Sequence, residues 1–301
     1  MIVRVLGSAA GGGVPQWNCA CVNCVAARGG RAPRRTQSSV ALSTDGKRWL
    51  LLNCSPDIAH QIEAFAPLQA PRLRGTPIAG MLFTDANVDH LGGLSVLRQH
   101  GTHHFLLRSS ALVRAIALAQ PSFAPFGRPP HRWLECPLDA TSEPHDPDDL
   151  VGNRLIVRTI PVVGTTPGYN GRRSARGAVV AYEIFERGTD RRLLFAPVFA
   201  AVDDVLRAAI ERAELAFLDG SFYSDDELIT LGLAAKSTRL LGHSAVGGPD
   251  GTLERLRGVR ARTIFTHLNN SNPMLDPSSV EYASVRERGV EIAYDGMEIA
   301  L

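Results

Sequence analysis

The 301-residue sequence predicts an α/β fold, α+β when described by layer, with two sheets packed face to face and helices outside. Two observations carry this reading. Short apolar runs of strand length alternate with segments of helical period, and the final third repeats the scheme of the first. No repeat, linker or low-complexity tract separates the halves, so residues 1–301 read as a single domain.

In chain order, residues 3–6 form a strand that ends at the Gly-rich stretch Gly7 to Gly13. Residues 38–42 and 49–52 suit two strands around an Asp45-Gly46 turn, and 78–83 suit another. Helical period appears over 56–65, 94–100 and 108–118. The acidic, proline-containing segment 141–149 reads as a loop. Strands follow at 154–159, 178–185 and 192–195, the last two joined by a hairpin at Gly188. Helices at 202–212, 253–259 and 278–288 then alternate with strands at 215–218, 262–266 and 290–292.

Composition narrows the function. A hydrophobic share of 45% and a charged share of 21% are those of a folded globular chain. A formal charge of +2 lacks the basic excess of a dedicated nucleic-acid binder. The arginine-rich stretches 28–35 and 172–176 lie beside glycines; they read first as mobile, solvated loops and second as a grip for an acidic substrate. No apolar run is long enough for a signal peptide or a membrane span, so a cytoplasmic location without a membrane is the expectation. Three of the five cysteines crowd into Cys19-Ala20-Cys21-Val22-Asn23-Cys24. That points to metal or redox chemistry in a reducing compartment rather than a disulfide scaffold. Three close thiolates suit a tetrahedral zinc ion, which needs a fourth ligand from elsewhere. Cys54 and Cys136 stand alone and read as small buried hydrophobes.

The richest local signal follows the strand at 78–83: Thr84-Asp85-Ala86-Asn87-Val88-Asp89-His90-Leu91-Gly92-Gly93. A rigid strand end can aim a carboxylate and an imidazole at one point. The plainer alternative makes Asp89 a helix cap and His90 a loop residue.

This segment resembles the metallo-β-lactamase superfamily motif Thr-His-x-His-x-Asp-His-x-x-Gly. Thr84, Asp89, His90 and Gly93 are in place, while Asp85 and Asn87 stand where the two leading histidines would be. Leu50-Leu51-Leu52-Asn53-Cys54-Ser55-Pro56-Asp57 and Thr266-His267-Leu268-Asn269-Asn270 extend the likeness nearly end to end. The resemblance implies a four-layer αββα sandwich of two mixed sheets. It also implies a mid-chain histidine near Val163-Gly164-Thr165 and an aspartate after Leu193-Leu194-Phe195, and neither is present. A di-zinc hydrolase needs those ligands. Asp89, His90 and His267 remain, a two-histidine, one-carboxylate set typical of non-haem Fe(II) oxygenases.

The segments Gly7-Ser8-Ala9-Ala10-Gly11-Gly12-Gly13-Val14-Pro15-Gln16-Trp17-Asn18-Cys19, Leu218-Asp219-Gly220-Ser221-Phe222 and Gly242-His243-Ser244 are similar to the pyrroloquinoline quinone (PQQ) biosynthesis B family. That resemblance implies an Fe(II)- and dioxygen-dependent hydroxylase acting on the tyrosine ring of a Glu-Tyr-derived precursor, alongside other PQQ biosynthesis proteins. An alternative role is carriage of PQQ or its precursor toward the periplasm; a zinc hydrolase is a third. By the superfamily resemblance, Asp219 and His243 approach each other beside the metal as a proton-transfer pair, the alternative for each being a loop cap or a hydrogen-bonding core residue. Related phosphodiesterases close a cysteine zinc site with a histidine three positions after the late strand-end histidine; Asn270 holds that position here and is the candidate fourth ligand. His60, His100, His103, His104, His131 and His145 read as non-functional, and the loop Pro167 to Gly171 carries only a weak lid signal.

Overall fold

The computed structural model describes residues 1–99, 104–142 and 154–301, and among these the strands form two seven-stranded sheets. The first contains β1 (Ile2–Gly7), β2 (Ser39–Ser43), β3 (Trp49–Leu52), β4 (Ile78–Leu82), β5 (Leu106–Ser109) and β6 (Arg132–Glu135). The second contains β7 (Thr141–Ser142), β8 (Leu155–Pro161), β9 (Val180–Glu186), β10 (Arg192–Ala196), β11 (Leu215–Asp219), β12 (Arg262–Thr266) and β13 (Glu291–Ile292). A last strand, β14 (Glu298–Ala300), returns to the first sheet and pairs with β1. The orders are β14-β1-β2-β3-β4-β5-β6 and β13-β12-β11-β10-β9-β8-β7. Both sheets are mixed in the same way: β14 through β3 pair antiparallel and β3 through β6 parallel, while β7 through β10 pair antiparallel and β10 through β13 parallel.

Strand alternation explains the layers. Leu193, Phe195, Leu215, Phe217 and Ile264 of the second sheet join Val3, Val40, Leu42, Leu52 and Leu82 of the first in one inter-sheet core. Their strand neighbours Leu194, Ala216, Leu218 and Phe265 face outward onto Leu206 and Ile210 of helix Asp204–Arg212. On the other side Leu51 and Met81 meet Ile58 and Ile116, from helices Ile58–Glu63 and Ala111–Leu118. Burying each such side chain contributes about 1.5–3 kcal/mol relative to exposure. The result is the αββα sandwich that the resemblance implies.

Several elements differ from the sequence reading. Arg108 and Ser109 end β5 rather than open a helix, because Ser110 caps the helix by accepting from the Val113 amide at 3.1 Å. The helices expected at 56–65, 94–100 and 253–259 shrink to Ile58–Glu63, Gly93–Val96 and Thr252–Arg255. Helix Val22–Arg28 runs through the last cysteine of the cluster. Only Thr141 and Ser142 of the expected loop at 141–149 are described, and they form β7. His100, His103 and His145 lie outside the described residues.

Candidate metal centre

The carboxyl ends of the parallel strands β4, β11 and β12 converge, a position where open α/β sheets place ligands. Asn53, at the end of β3 with φ 61°, accepts from the Thr84 amide and donates to its hydroxyl, both at 3.0 Å, and so pins the loop leaving β4. Asp85 Oδ1 accepts from the Asn87 backbone and side-chain amides at 2.9 and 2.8 Å. That turn starts the one-turn helix Val88–Leu91, which carries Asp89 and His90.

His90 is fully buried, and its Nδ1 lies 2.6 Å from Asp85 Oδ2. With Nδ1–H donated to that carboxylate, Nε2 is the nitrogen a metal would take once its proton is displaced, and it is buried with no hydrogen-bond partner among the described residues. Nε2 lies 3.8 Å from Asp89 Oδ2, which lies 3.2 Å from His267 Nε2. Separations of 3.8 and 3.2 Å are within reach of one cation bonded at about 2.0–2.2 Å to each donor. The orphaned nitrogen and the donor chemistry therefore both fit a metal ion. Burial alone would push the His90 imidazole down, but Asp85 and Asp89 outweigh it and raise it to about 9. Burial would raise Asp89, yet His90 and His267 hold it below the usual carboxylate range.

Behind this triad sits a second layer. Asp219, at the end of β11, accepts from Ser221 N at 2.9 Å, Ser221 Oγ at 2.6 Å, Phe199 N at 3.3 Å and His243 Nδ1 at 2.8 Å. Four hydrogen bonds occupy its lone pairs, so it orients neighbours rather than offering an oxygen to a metal. Asp219, His243 and His267 also lie close enough to form a metal cluster, but this saturation argues for the Asp89–His90–His267 set. Ser221 Oγ gives its proton to Asp219 and is left to accept from His267 Nδ1 at 2.7 Å. Nε2 of His267 is thereby turned toward Asp89. His267 itself adopts a left-handed backbone, φ 59°.

His243 follows a helical turn, Thr238–Leu241, that is ended by Gly242 at φ 100°. Asp225 fixes that turn by accepting from Thr238 Oγ1 at 2.8 Å and the Arg239 amide at 3.0 Å. His243 Nδ1 is committed to Asp219, and its ring stacks on His267 at 5.5 Å with an interplanar angle of 25°.

A cavity of about 230 Å³ opens over Asp89, His243 and His267, walled by Val198 and Phe222, with Arg172 at its rim. The segment bearing Arg172 is not the free loop expected of 172–176. Thr166 accepts from and donates to Arg173 through main-chain and hydroxyl bonds, and Tyr169 Oη donates to Ala86 O at 2.5 Å.

The sulfurs of Cys19, Cys21 and Cys24 form a second cluster. Backbone amides of Cys21 and Gln16 donate to Cys19 and Cys24 Sγ at 3.4 and 3.3 Å. The Asn270 side-chain amide lies 3.1, 3.5 and 3.4 Å from Cys19, Cys21 and Cys24 Sγ. Burial pushes the Cys24 thiol up to about 11, and the neighbouring cysteines add to it, so a third thiolate there calls for a cation. Arg28 and Arg35, expected in a solvated stretch, are structural: Arg28 ties to Gln16 and Cys19 carbonyls, and Arg35 Nη1 reaches Ser8 Oγ at 2.9 Å. Cys54 and Cys136 are fully buried, as expected. His60 is exposed on its helix, His104 is exposed, and His131 accepts from the Phe105 amide at 3.1 Å, all away from the triad.

The sequence reading placed Asp89, His90, His267, Asp219, His243 and the cysteines in two groups, and the fold gathers them so. It missed Asp85, which it counted only as a lost histidine, and Ser221.

Residues 48–268 match the family described as Beta-lactamase superfamily domain. Coenzyme PQQ synthesis protein B of Cupriavidus necator is 40% identical, over 99% of both chains, and that of Azoarcus sp. is 37% identical over 100% of both. The crystal structure of Zn(2+)-bound PqqB from Methylobacterium extorquens superposes with a TM-score of 0.92 at 36% identity, covering 100% of each chain. By superfamily match, full-length identity and fold, this chain belongs to the coenzyme PQQ synthesis protein B family.

Proposed function

We propose that this chain is a metal-dependent enzyme of PQQ synthesis that hydroxylates the tyrosine ring of a Glu-Tyr-derived precursor, using Fe(II) and dioxygen. The single observation that carries the reading is the buried, unpartnered His90 Nε2 facing Asp89 and His267. One carboxylate and two imidazoles on one side of a cation leave its other positions open to substrate. A zinc hydrolase of the two-metal kind is less well supported: Asp85 and Asn87 stand at the histidine positions, Asp85 is spent on His90, and the second cluster, Asp219, His243 and His267, shares His267 with the first. Nor does any described helix have the length and apolarity to cross a membrane, which leaves the carrier reading without a structural feature of its own.

Iron, when bound, supplies activation of dioxygen. The protein's own residues do the rest. Asp85 fixes the His90 tautomer, and Ser221 fixes that of His267. Val198 and Phe222 wall the cavity against water and offer an apolar face to an aromatic ring. His243 keeps Nδ1–H on Asp219, so Nε2 is the atom that can take a phenol proton. Cys19, Cys21 and Cys24 would hold a structural zinc, and turning over the Asn270 amide would offer its oxygen as a fourth ligand. Reduced thiols at that site fit a cytoplasmic location, where other PQQ synthesis proteins would supply the precursor.

Protein purified without air and loaded with Fe(II) is expected to consume dioxygen and add one oxygen atom to a Glu-Tyr peptide when a reductant such as ascorbate is present. Replacing His90 or His267 should end turnover while the cysteine-bound metal stays. Loss of both metals together, or robust phosphodiester cleavage with zinc and no oxygen uptake, would overturn the reading.

A further inference from the structure

Arg172 is the only arginine or lysine among the described residues lining the cavity over the candidate metal centre. The cavity's other titratable lining residues are Asp89, His243 and His267. Asp89 lies in its wall, with Asp85 and Asp219 buried behind His90 and His243. An unpaired cation at the rim of such a cavity needs an explanation, because the neighbouring arginine has one: Arg176 pairs with Asp139. Arg172 has no carboxylate partner among the described residues; its Nη1 donates to the Leu241 carbonyl.

That single bond matters more than it would on an open surface. It ties the guanidinium to the turn that ends at Gly242 and His243, so the planar fork is held in register with the proton-accepting imidazole. From the other side, the segment carrying Arg172 is closed by the Thr166–Arg173 bonds and a bridge between Thr165 and Ser174. With Nη1 engaged, the remaining N–H donors have no partner among the described residues. A fixed guanidinium with free donors is suited to a planar, bidentate anion.

The geometry points to a carboxylate subsite at Arg172 that anchors the substrate's acidic end at the rim while its ring lies against Phe222 and Val198. Arg172 is the one lining arginine or lysine among the described residues, so a carboxylate held there leaves Asp89 and His267 to the metal. This rests on the proposed reading only for the choice of ligand.

The test is calorimetric binding to the zinc-loaded protein, where no turnover interferes. The probes are the dipeptide Glu-Tyr and its fully amidated counterpart Gln-Tyr-amide. The wild type is expected to prefer the acid, and Arg172→Gln to lose about tenfold in affinity for it with no change for the amide. Arg172→Lys should recover only part, since an ammonium keeps the charge but lacks the planar fork that meets both carboxylate oxygens. Metal content and melting temperature should match the wild type in both variants. Equal wild-type affinity for the two probes, no binding of the acid, or an unchanged acid affinity in Arg172→Gln would each overturn the subsite. Oxygen uptake is read separately: binding that discriminates without uptake would sink the oxygenase reading and spare the subsite, and uptake with an unaltered KM in Arg172→Gln would do the reverse.

Discussion

At the scale of single residues, one hydroxyl settles the orientation of a metal-facing imidazole. Because Asp219 takes the Ser221 proton, the serine oxygen can only accept from His267, and Nε2 is forced toward Asp89. Ser221→Ala removes that acceptor without touching the triad. The expected outcome is a 10- to 100-fold weaker active-site metal in a chelator-competition titration, with the cysteine-bound metal unchanged. An unaltered affinity would show that His267 is oriented by packing alone. Asp89, His90 and His267 were legible because their residue types sit in a recognisable pattern at strand ends. Asp85 and Ser221 were not. Each acts by a hydrogen bond to another residue, and that bond exists only once a loop or two strands are brought together.

Elements tell a similar story about glycine. A side chain at Gly93 would begin 2.4 Å from Cys54 Sγ and 2.4 Å from Ser55 O, so the helix Gly93–Val96 can pack on the Cys54–Ser55 turn only without one. Gly93→Ala should therefore destabilise the protein by about 1–3 kcal/mol, seen in a urea melt, and loosen the loop bearing His90. A melt that matches the wild type would refute the close-packing account of this motif glycine. The strands at 49–52 and 262–266 were readable to the residue, since their apolar and β-branched runs are bounded by turns or charge. β5, β6 and β14 were not, being three or four residues long and flanked by histidine, proline or glycine. Their strand character comes from pairing with β4, β5 and β1. Likewise Thr238–Leu241 has too few residues for a helical period, and it holds together through Asp225, a capping contact from another segment.

For the whole molecule, the two sheets are stitched directly beside the metal loop. Tyr182 of β9 donates its phenol to the Phe83 carbonyl at 2.8 Å, and the Val180 amide donates to Thr84 O at 2.8 Å. Tyr182 is fully buried, so its hydroxyl has no water to fall back on. We propose on this basis that residues 1–301 unfold as one cooperative domain. Fluorescence and circular dichroism should report one coincident transition. Tyr182→Phe is expected to lower stability by about 1–3 kcal/mol while keeping that coincidence. Two separated transitions would mean that the sheets are independent units.

The left-handed backbone at His267 has a consequence for how this position tolerates change. Such a conformation costs a β-carbon-bearing residue on the order of 1 kcal/mol, and asparagine bears it more readily than most. Metal-free protein with His267→Asn should thus melt at or above the wild-type temperature, even though its metal binding is lost. His90→Asn should melt lower, because it strips the buried Asp85 carboxylate of its imidazole. Position 267 is then a place where stability and activity select opposite residues, and where a screen for heat resistance alone would steadily discard the enzyme.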